Sequence, residues 1–99
     1  MNRPTTDYTK PRFQLGATLV TPAAMAALEA AEVPEVLLLA RHLHGDWGEL
    51  SEEDWLQNEL AVRLGLRILS SYPLPTGRKV WIITEADRSA TTILLADDY

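Results

Sequence analysis

The chain has 99 residues, of which 46% are hydrophobic and 23% are charged, and its formal net charge at pH 7 is −5. This length predicts one domain with a single core, and the composition lies outside the disordered class. The absence of cysteine excludes disulfides, cysteine-ligated zinc and thiol catalysis, and no apolar run reaches the roughly 18 residues needed to span a bilayer.

The first twelve residues predict an arm rather than part of the core. Residues 1–12 contain two prolines among mostly polar neighbours, which is typical of a flexible or surface-hugging segment. They lack the apolar stretch of a secretory signal, so the expected location is the cytoplasm. Residues 12–20 have extended character, although Gly16 weakens any regular strand there. We therefore expect a flexible arm over 1–12 and one α+β domain over 13–99.

Two short helices should follow. Thr21 is a favourable N-cap and Pro22 suits a first helical position, so a helix is expected over about 22–31. Pro34 starts a second helix, and Gly45 is a favoured residue just beyond its end. Because an interior proline clashes with the preceding turn, these are two helices and not one long one.

A third helix has the clearest boundaries in the chain. Ser51 is a potential N-cap followed by three acidic residues in the first turn, and Gly65 is a potential stop. Leucines recur every four residues and predict the buried stripe: Leu56, Leu60 and Leu64, supported by Trp55. Glu59 and Arg63 should form a pair on a more exposed face.

After Gly65 the hydrophobic pattern changes to strand-like alternation. The segments "RILSSYPL", "VWIITEA" and "TTILL" read as strands, and "PTGRK" reads as a hairpin connection. The order predicts an α+β fold in which two or three N-terminal helices cover one face of a C-terminal three-stranded antiparallel sheet. Its core should combine the leucine stripe with Ile68, Trp81, Ile83 and Ile93.

The histidines of "RHLHGDWGEL" raise the question of a metal site. His42, His44 and Asp46 follow the HxHxD spacing of several metal-dependent hydrolases. On a helix, however, His42 and His44 would lie about 200° apart around the axis and could not close on one ion. The pattern's further histidines are missing, as are a GxSxG elbow and phosphate-binding loops. The sequence therefore predicts no metal, no cofactor and no catalytic residue.

A polar connection between the last two strands has two interpretations. Its candidate residues are Glu85, Asp87, Arg88 and Ser89. They could form a polar corner in which Arg88 clamps an anion. Alternatively, Asp87 and Ser89 make turn hydrogen bonds while Arg88 pairs with a carboxylate.

Acidic residues dominate the middle of the chain. Nine of them lie between Glu29 and Glu59, opposed only by Arg41. This charge disfavours direct nucleic-acid binding and favours a partner with a basic surface. The candidate partner-binding residues are Asp46, Trp47, Glu49, Glu52, Glu53 and Asp54. Alternatively, the carboxylates form a solvated helix face that only keeps the protein soluble, and Trp47 folds back to cover the helix junction.

Two segments carry a family resemblance. "LLARHLHGDWGEL" and "RILSSYPLPTGRKVWIITEADRSATTILLADDY" resemble a group of small bacterial plasmid-related proteins, found on plasmids and integrative elements. The resemblance covers roughly residues 13–99 and is strongest at Arg41-His42, 45–48 and 84–94. It assigns a role to no residue, but it implies a mobile-element context, in which accessory proteins often counter host defence.

The leading hypothesis is a non-enzymatic, protein-binding accessory factor of a mobile element, acting as an inhibitor of a nucleic-acid-targeting defence complex such as a CRISPR or restriction system. A small ligand-binding domain or enzyme that uses residues 84–92 is one alternative. A structural module that self-associates through an edge strand is another. Neither the partner nor the oligomeric state follows from the sequence, and no membrane association is expected.

Overall fold

A computed structural model describes residues 5–99 as an α+β fold with three helices and one four-stranded mixed sheet. The helices are α1 (Pro22–Ala31), α2 (Glu35–Leu43) and α3 (Glu52–Leu64). The strands are β1 (Ala17–Val20), β2 (Ile68–Pro73), β3 (Lys79–Thr84) and β4 (Ala90–Leu95), and a short 3₁₀ helix spans Ala96–Asp98.

The predicted boundaries of α1 and α3 are confirmed by their caps, whereas α2 begins at Glu35, with the predicted first-turn Pro34 as its N-cap. Thr21 accepts a hydrogen bond from the backbone N–H of Ala24 at 3.2 Å, and Ser51 accepts one from Asp54 at 3.1 Å. The third helix ends at Gly65, which adopts the left-handed conformation (φ 67°) expected of such a stop. The break between α1 and α2 is confirmed as well.

The sheet differs from the prediction in its strand count and direction. Its order is β1-β4-β3-β2, with β2–β3 and β3–β4 antiparallel as expected but β1 parallel to β4. The prediction of a three-stranded, wholly antiparallel sheet is therefore wrong. Gly16, just before β1, lies close to the segment that leads into β4, because a Cβ there would lie 2.3 Å from the Arg88 carbonyl oxygen. This glycine admits β1 to the sheet by letting two backbone segments approach closely.

The buried residues form two clusters rather than the single predicted core. The larger cluster joins α1 and α2 to one sheet face: Ala24, Ala27, Leu28, Leu38, Tyr72, Leu74, Val80, Ile82, Ile93 and Leu95. The smaller one contains Trp47, Ala61 and Ile68, with Phe13 and Trp55 packed against it. Ile83 is also buried, whereas Trp81 is only half-buried.

The predicted burial of the leucine stripe of α3 is wrong. Leu56, Leu60 and Leu64 are 42%, 49% and 65% exposed. The helix instead buries Asn58 and Ala61, because it lies along the edge of β2. There the Asn58 amide donates to the Leu69 carbonyl at 2.6 Å and its oxygen accepts from the Leu69 N–H at 3.1 Å. These two bonds fix which side of α3 faces the sheet.

Candidate functional site

The exposed side of α3 joins an apolar stripe to a cluster of carboxylates. We call Leu56, Leu60 and Leu64 the leucine stripe, and Glu49, Glu52, Glu53 and Asp54 the acidic surface. All seven side chains are exposed. Glu52 precedes Leu56 by four residues, so one helix face carries the charge directly into the stripe. The first-turn position of three carboxylates is stabilised by the positive end of the helix dipole.

The acidic surface also borders a cleft of about 660 Å³. Its lining includes Leu69, Ser71 and Trp81 from the sheet face opposite α1 and α2. It also includes charged side chains of both signs: Glu49, Asp54, Asp97, Arg78 and Lys79. Lys79 pairs with Glu49 at 2.8 Å. The Trp81 ring lies 5.2 Å from that of Tyr99. The lining of the cleft therefore combines an aromatic side chain with charged groups of both signs.

Trp47 is buried, so the interpretation as an exposed binding anchor is wrong. It is 1% exposed, and its Nε1–H donates to Glu59 Oε2 at 2.9 Å. Its ring stacks on that of Phe13 at 6.2 Å. The turn at Gly48 (φ 77°) places the chain against β2, where the Ser71 N–H donates to the Trp47 carbonyl. Trp47 thus covers the helix junction, as the alternative interpretation has it.

Asp46 is also occupied within the fold. It accepts from Arg41 Nε at 2.7 Å and from the Tyr8 hydroxyl at 2.8 Å. Burial acts to raise its pKa, but the Arg41 and Tyr8 hydrogen bonds outweigh burial and lower that pKa below its ordinary value. Asp46 is therefore a carboxylate held in an ion pair, unlike the first-turn acids of α3.

The second half of the predicted arm lies against the domain. Arg12 pairs with Glu59 at 2.9 Å, and the Arg12 N–H donates to the Leu43 carbonyl. Glu59, expected on an exposed face with Arg63, is thus held by Arg12 and Trp47. The part of the predicted flexible arm at 1–4 lies outside the described residues.

His42 and His44 occupy separate environments, as the helix geometry predicts. His42 is fully buried, and burial, together with the nearby charge of Arg88, lowers its pKa to about 3. His44 Nδ1 lies 2.7 Å from the Ala40 carbonyl oxygen on α2 itself. Among residues 5–99, no group of three or more histidine and acidic side chains could hold a metal ion.

A buried polar chain runs from β2 to the segment before β1. It connects Ser70 Oγ to His42 Nδ1 (2.5 Å), His42 Nε2 to Thr84 Oγ1 (2.8 Å), Thr84 Oγ1 to Thr91 Oγ1 (2.7 Å), and Thr91 to the Leu15 carbonyl (2.7 Å).

The Leu15 carbonyl sets the proton order of this chain. Because that carbonyl can only accept, Thr91 donates to it, Thr84 donates to Thr91, and neutral His42 carries its proton on Nε2. The sequence analysis did not predict this chain of hydrogen bonds. The residues that could have indicated it are the serine and threonines at inward-facing positions of the strands. Its members are fully buried, so they satisfy one another instead of meeting a substrate.

Arg88 serves the backbone rather than an anion. Its guanidinium donates to the carbonyls of Ala61 (2.9 Å) in the last turn of α3 and of Leu66 (2.6 Å) just beyond it, and to those of Glu85 and Ala86 in its own turn. Asp87 accepts from the Ser89 N–H at 3.0 Å. Residues 85–89 therefore form a turn, as the second interpretation predicts. Arg88, however, donates to backbone carbonyl oxygens and not to the carboxylate that this interpretation expects.

The described residues offer exposed charge, exposed leucines and a cleft, and their buried polar groups are engaged with one another. Within residues 5–99, no helix combines the length and apolarity needed to cross a membrane. Comparisons with known proteins add nothing to this picture: no family model matches the chain, and neither the curated proteins nor the solved structures include a significant match.

Proposed function

We propose that the protein is a non-enzymatic binding factor that presents the acidic surface and the leucine stripe to a partner with a basic, partly apolar surface. The observation that carries this proposal is the exposed face of α3, where three leucines continue into the acidic first turn. Apolar contacts surrounded by charge are typical of protein interfaces. Contiguous exposed leucines otherwise cost solubility, so their place on one helix face favours a contact surface.

The charges of the acidic surface support a basic partner. Of its four carboxylates, only Glu49 forms an ion pair within residues 5–99. Uncompensated exposed charge accelerates association with an oppositely charged surface and repels a phosphate backbone. The adjacent cleft adds a place for one partner side chain, because an arginine bound there would have both carboxylates and the Trp81 indole within the same lining.

The biological setting of this proposal rests on the resemblance to plasmid-related proteins. On that basis the partner is a nucleic-acid-targeting defence complex, either a CRISPR effector or a restriction enzyme, whose basic nucleic-acid channel the acidic surface would occupy. The protein would then inhibit by competing with nucleic acid for the channel, and direct nucleic-acid binding is not expected.

The charge contribution is tested with two charge-matched double variants. Glu52→Lys with Glu53→Lys reverses the acidic surface, whereas Glu29→Lys with Glu32→Lys makes the same charge change at exposed sites around the end of α1. DNA cleavage by a panel of purified CRISPR effectors and restriction enzymes is measured with each protein. We expect inhibition of at least one enzyme to survive only in the α1 variant. Equal inhibition by both variants, or no inhibition by the wild type, would refute the proposal.

The apolar contribution needs a separate pair of variants. Leu60→Ser on the stripe is compared with Leu37→Ser on α2, since the two leucines are similarly exposed at 49% and 52%. Each leucine is already about half covered, so completing its burial is worth about 1 kcal/mol. A loss of roughly fivefold in affinity is therefore expected for Leu60→Ser alone.

A further inference from the structure

We propose that the outer edge of β1 pairs with the same edge of a second copy of this chain, antiparallel and across a two-fold axis. The two four-stranded sheets would join into one sheet of eight strands. The edge strand is Ala17–Val20, whose first three side chains are exposed. This inference is independent of the function proposed for α3.

The hydrogen bonds of β1 show which backbone groups face outward. The N–H of Ala17 donates to the Ser89 carbonyl and that of Thr21 to the Ile93 carbonyl, both at 3.0 Å. Successive residues of a strand point their backbone groups to opposite sides. The N–H and C=O groups of Thr18 and Val20 therefore point away from β4, and within residues 5–99 nothing pairs with them on that side.

The opposite edge of the sheet is protected, and this contrast singles out β1. Along the outer side of β2, Asn58 binds both backbone groups of Leu69. The next outward residue, Ser71, donates to the Trp47 carbonyl at 3.0 Å and accepts from the Glu49 N–H at 2.7 Å. Proteins normally cover or charge their sheet edges, because open edges associate. Among the described strands, only β1 keeps an open side.

A second copy fits this edge because the edge is complementary to itself. With Leu19 on the two-fold axis, Thr18 lies opposite Val20 of the second copy, and Val20 lies opposite its Thr18. Each of these pairs exchanges two N–H···O bonds, giving four in total. Leu19 itself is 54% exposed, and its side chain would meet Leu19 of the second copy in a close cross-strand pair. Because each copy uses the same edge in this two-fold contact, the pairing leaves no β1 edge open for a third copy.

The charge distribution also favours a second copy over a basic partner. Residues 13–28, which contain β1 and the part of α1 that precedes Glu29, carry no charged side chain although the whole chain has a net charge of −5. Two copies can therefore approach along this segment without local repulsion, and a basic surface finds no carboxylate on it. Because α3 lies at the β2 edge, the dimer would carry its two acidic surfaces at the outer ends of the joined sheet.

Sedimentation velocity over a wide concentration range tests this inference. We expect the wild-type mass to rise from that of one chain toward that of two, and the amides of Thr18 and Val20 to gain protection from hydrogen exchange as it rises. Thr18→Pro removes an outward N–H without touching the bonds to β4, and Leu19→Lys places two like charges on the axis. Both should remain monomeric, whereas the control Leu37→Lys, at similar exposure, should dimerise like the wild type.

Two results would overturn the inference. The first is a wild type that stays monomeric at every concentration, and the second is a dimer that persists in both edge variants. If the monomeric wild type bound a partner protein and Thr18→Pro lost that binding, the edge would receive a partner's strand instead. The variant Glu52→Lys with Glu53→Lys should dimerise normally, so failure of this inference and failure of the proposed function are separable.

Discussion

Replacing Trp47 tests whether this side chain holds the fold or the partner. The indole is 1% exposed, stacks on Phe13 and donates to Glu59. Removing a buried tryptophan side chain typically costs about 3–5 kcal/mol, and here the Glu59 carboxylate also loses a donor. Because small domains are stable by roughly 5–15 kcal/mol, Trp47→Ala should lose a large share of the free energy of unfolding.

Urea unfolding followed by far-UV circular dichroism measures this loss. The matched change is Leu60→Ala, which removes a side chain that is 49% exposed, and it should cost less than about 1 kcal/mol. Trp47→Phe keeps the ring and loses the N–H donor, so an intermediate cost is expected, with binding through α3 unchanged. If Trp47→Ala unfolded within about 1 kcal/mol of wild type while Leu60→Ala cost several, the described orientation of α3 would be refuted.

Four further predictions concern three polar contacts and one close backbone approach. The free energy of unfolding should fall as the pH is lowered from 6.5 toward 3, because His42 is protonated at its ordinary pKa in the unfolded state but only near pH 3 in the folded state. Urea titrations at several pH values measure this dependence, and the contribution of His42 to it should vanish in His42→Gln. Asn58→Ala leaves the Leu69 backbone groups unpaired and should cost about 1–3 kcal/mol in the same assay, whereas the exposed Gln57→Ala should cost little. Arg88→Ala removes the hydrogen-bond donors to the Ala61 and Leu66 carbonyls, so the backbone amides of α3 after Ala61 should exchange faster with deuterium. Unchanged exchange would contradict a role of Arg88 in holding the end of this helix. Gly48→Ala introduces a Cβ that would lie 2.1 Å from the Ser71 carbonyl oxygen, so its thermal midpoint should drop far below that of Gly77→Ala, where φ is also positive but the space is open.

Local signals of the sequence predicted the elements well. Thr21, Ser51 and Gly65 are capping residues whose preference depends on short-range hydrogen bonds, and the structure shows those bonds or conformations. The β2–β3 hairpin and the antiparallel pairing of β3 with β4 likewise followed from alternation and turn residues. All of these depend on residues that are close along the chain.

The errors concern contacts between distant residues. Leucine spacing identified one face of α3 but not whether that face is buried, since the two bonds between Asn58 and Leu69 determine the rotation. The parallel pairing of β1 with β4 joins residues more than seventy positions apart. The burial of Trp47 similarly required Phe13 and Glu59, which lie on either side of it in sequence. No periodicity in a single segment encodes such partners.

The way α3 is attached connects these observations to the proposed function. The helix is held at the β2 edge through polar groups: Asn58 contacts β2, Glu59 contacts Arg12 and Trp47, and the Ala61 carbonyl accepts from Arg88. Its small Ala61 completes the inner contact, so the leucine stripe is not needed to dock the helix on its own domain. A helix face that contributes little to folding is available for binding, and its exposed leucines gain free energy only when another surface covers them. The carboxylates at the start of the same face would then favour a partner whose surface over the leucines is basic.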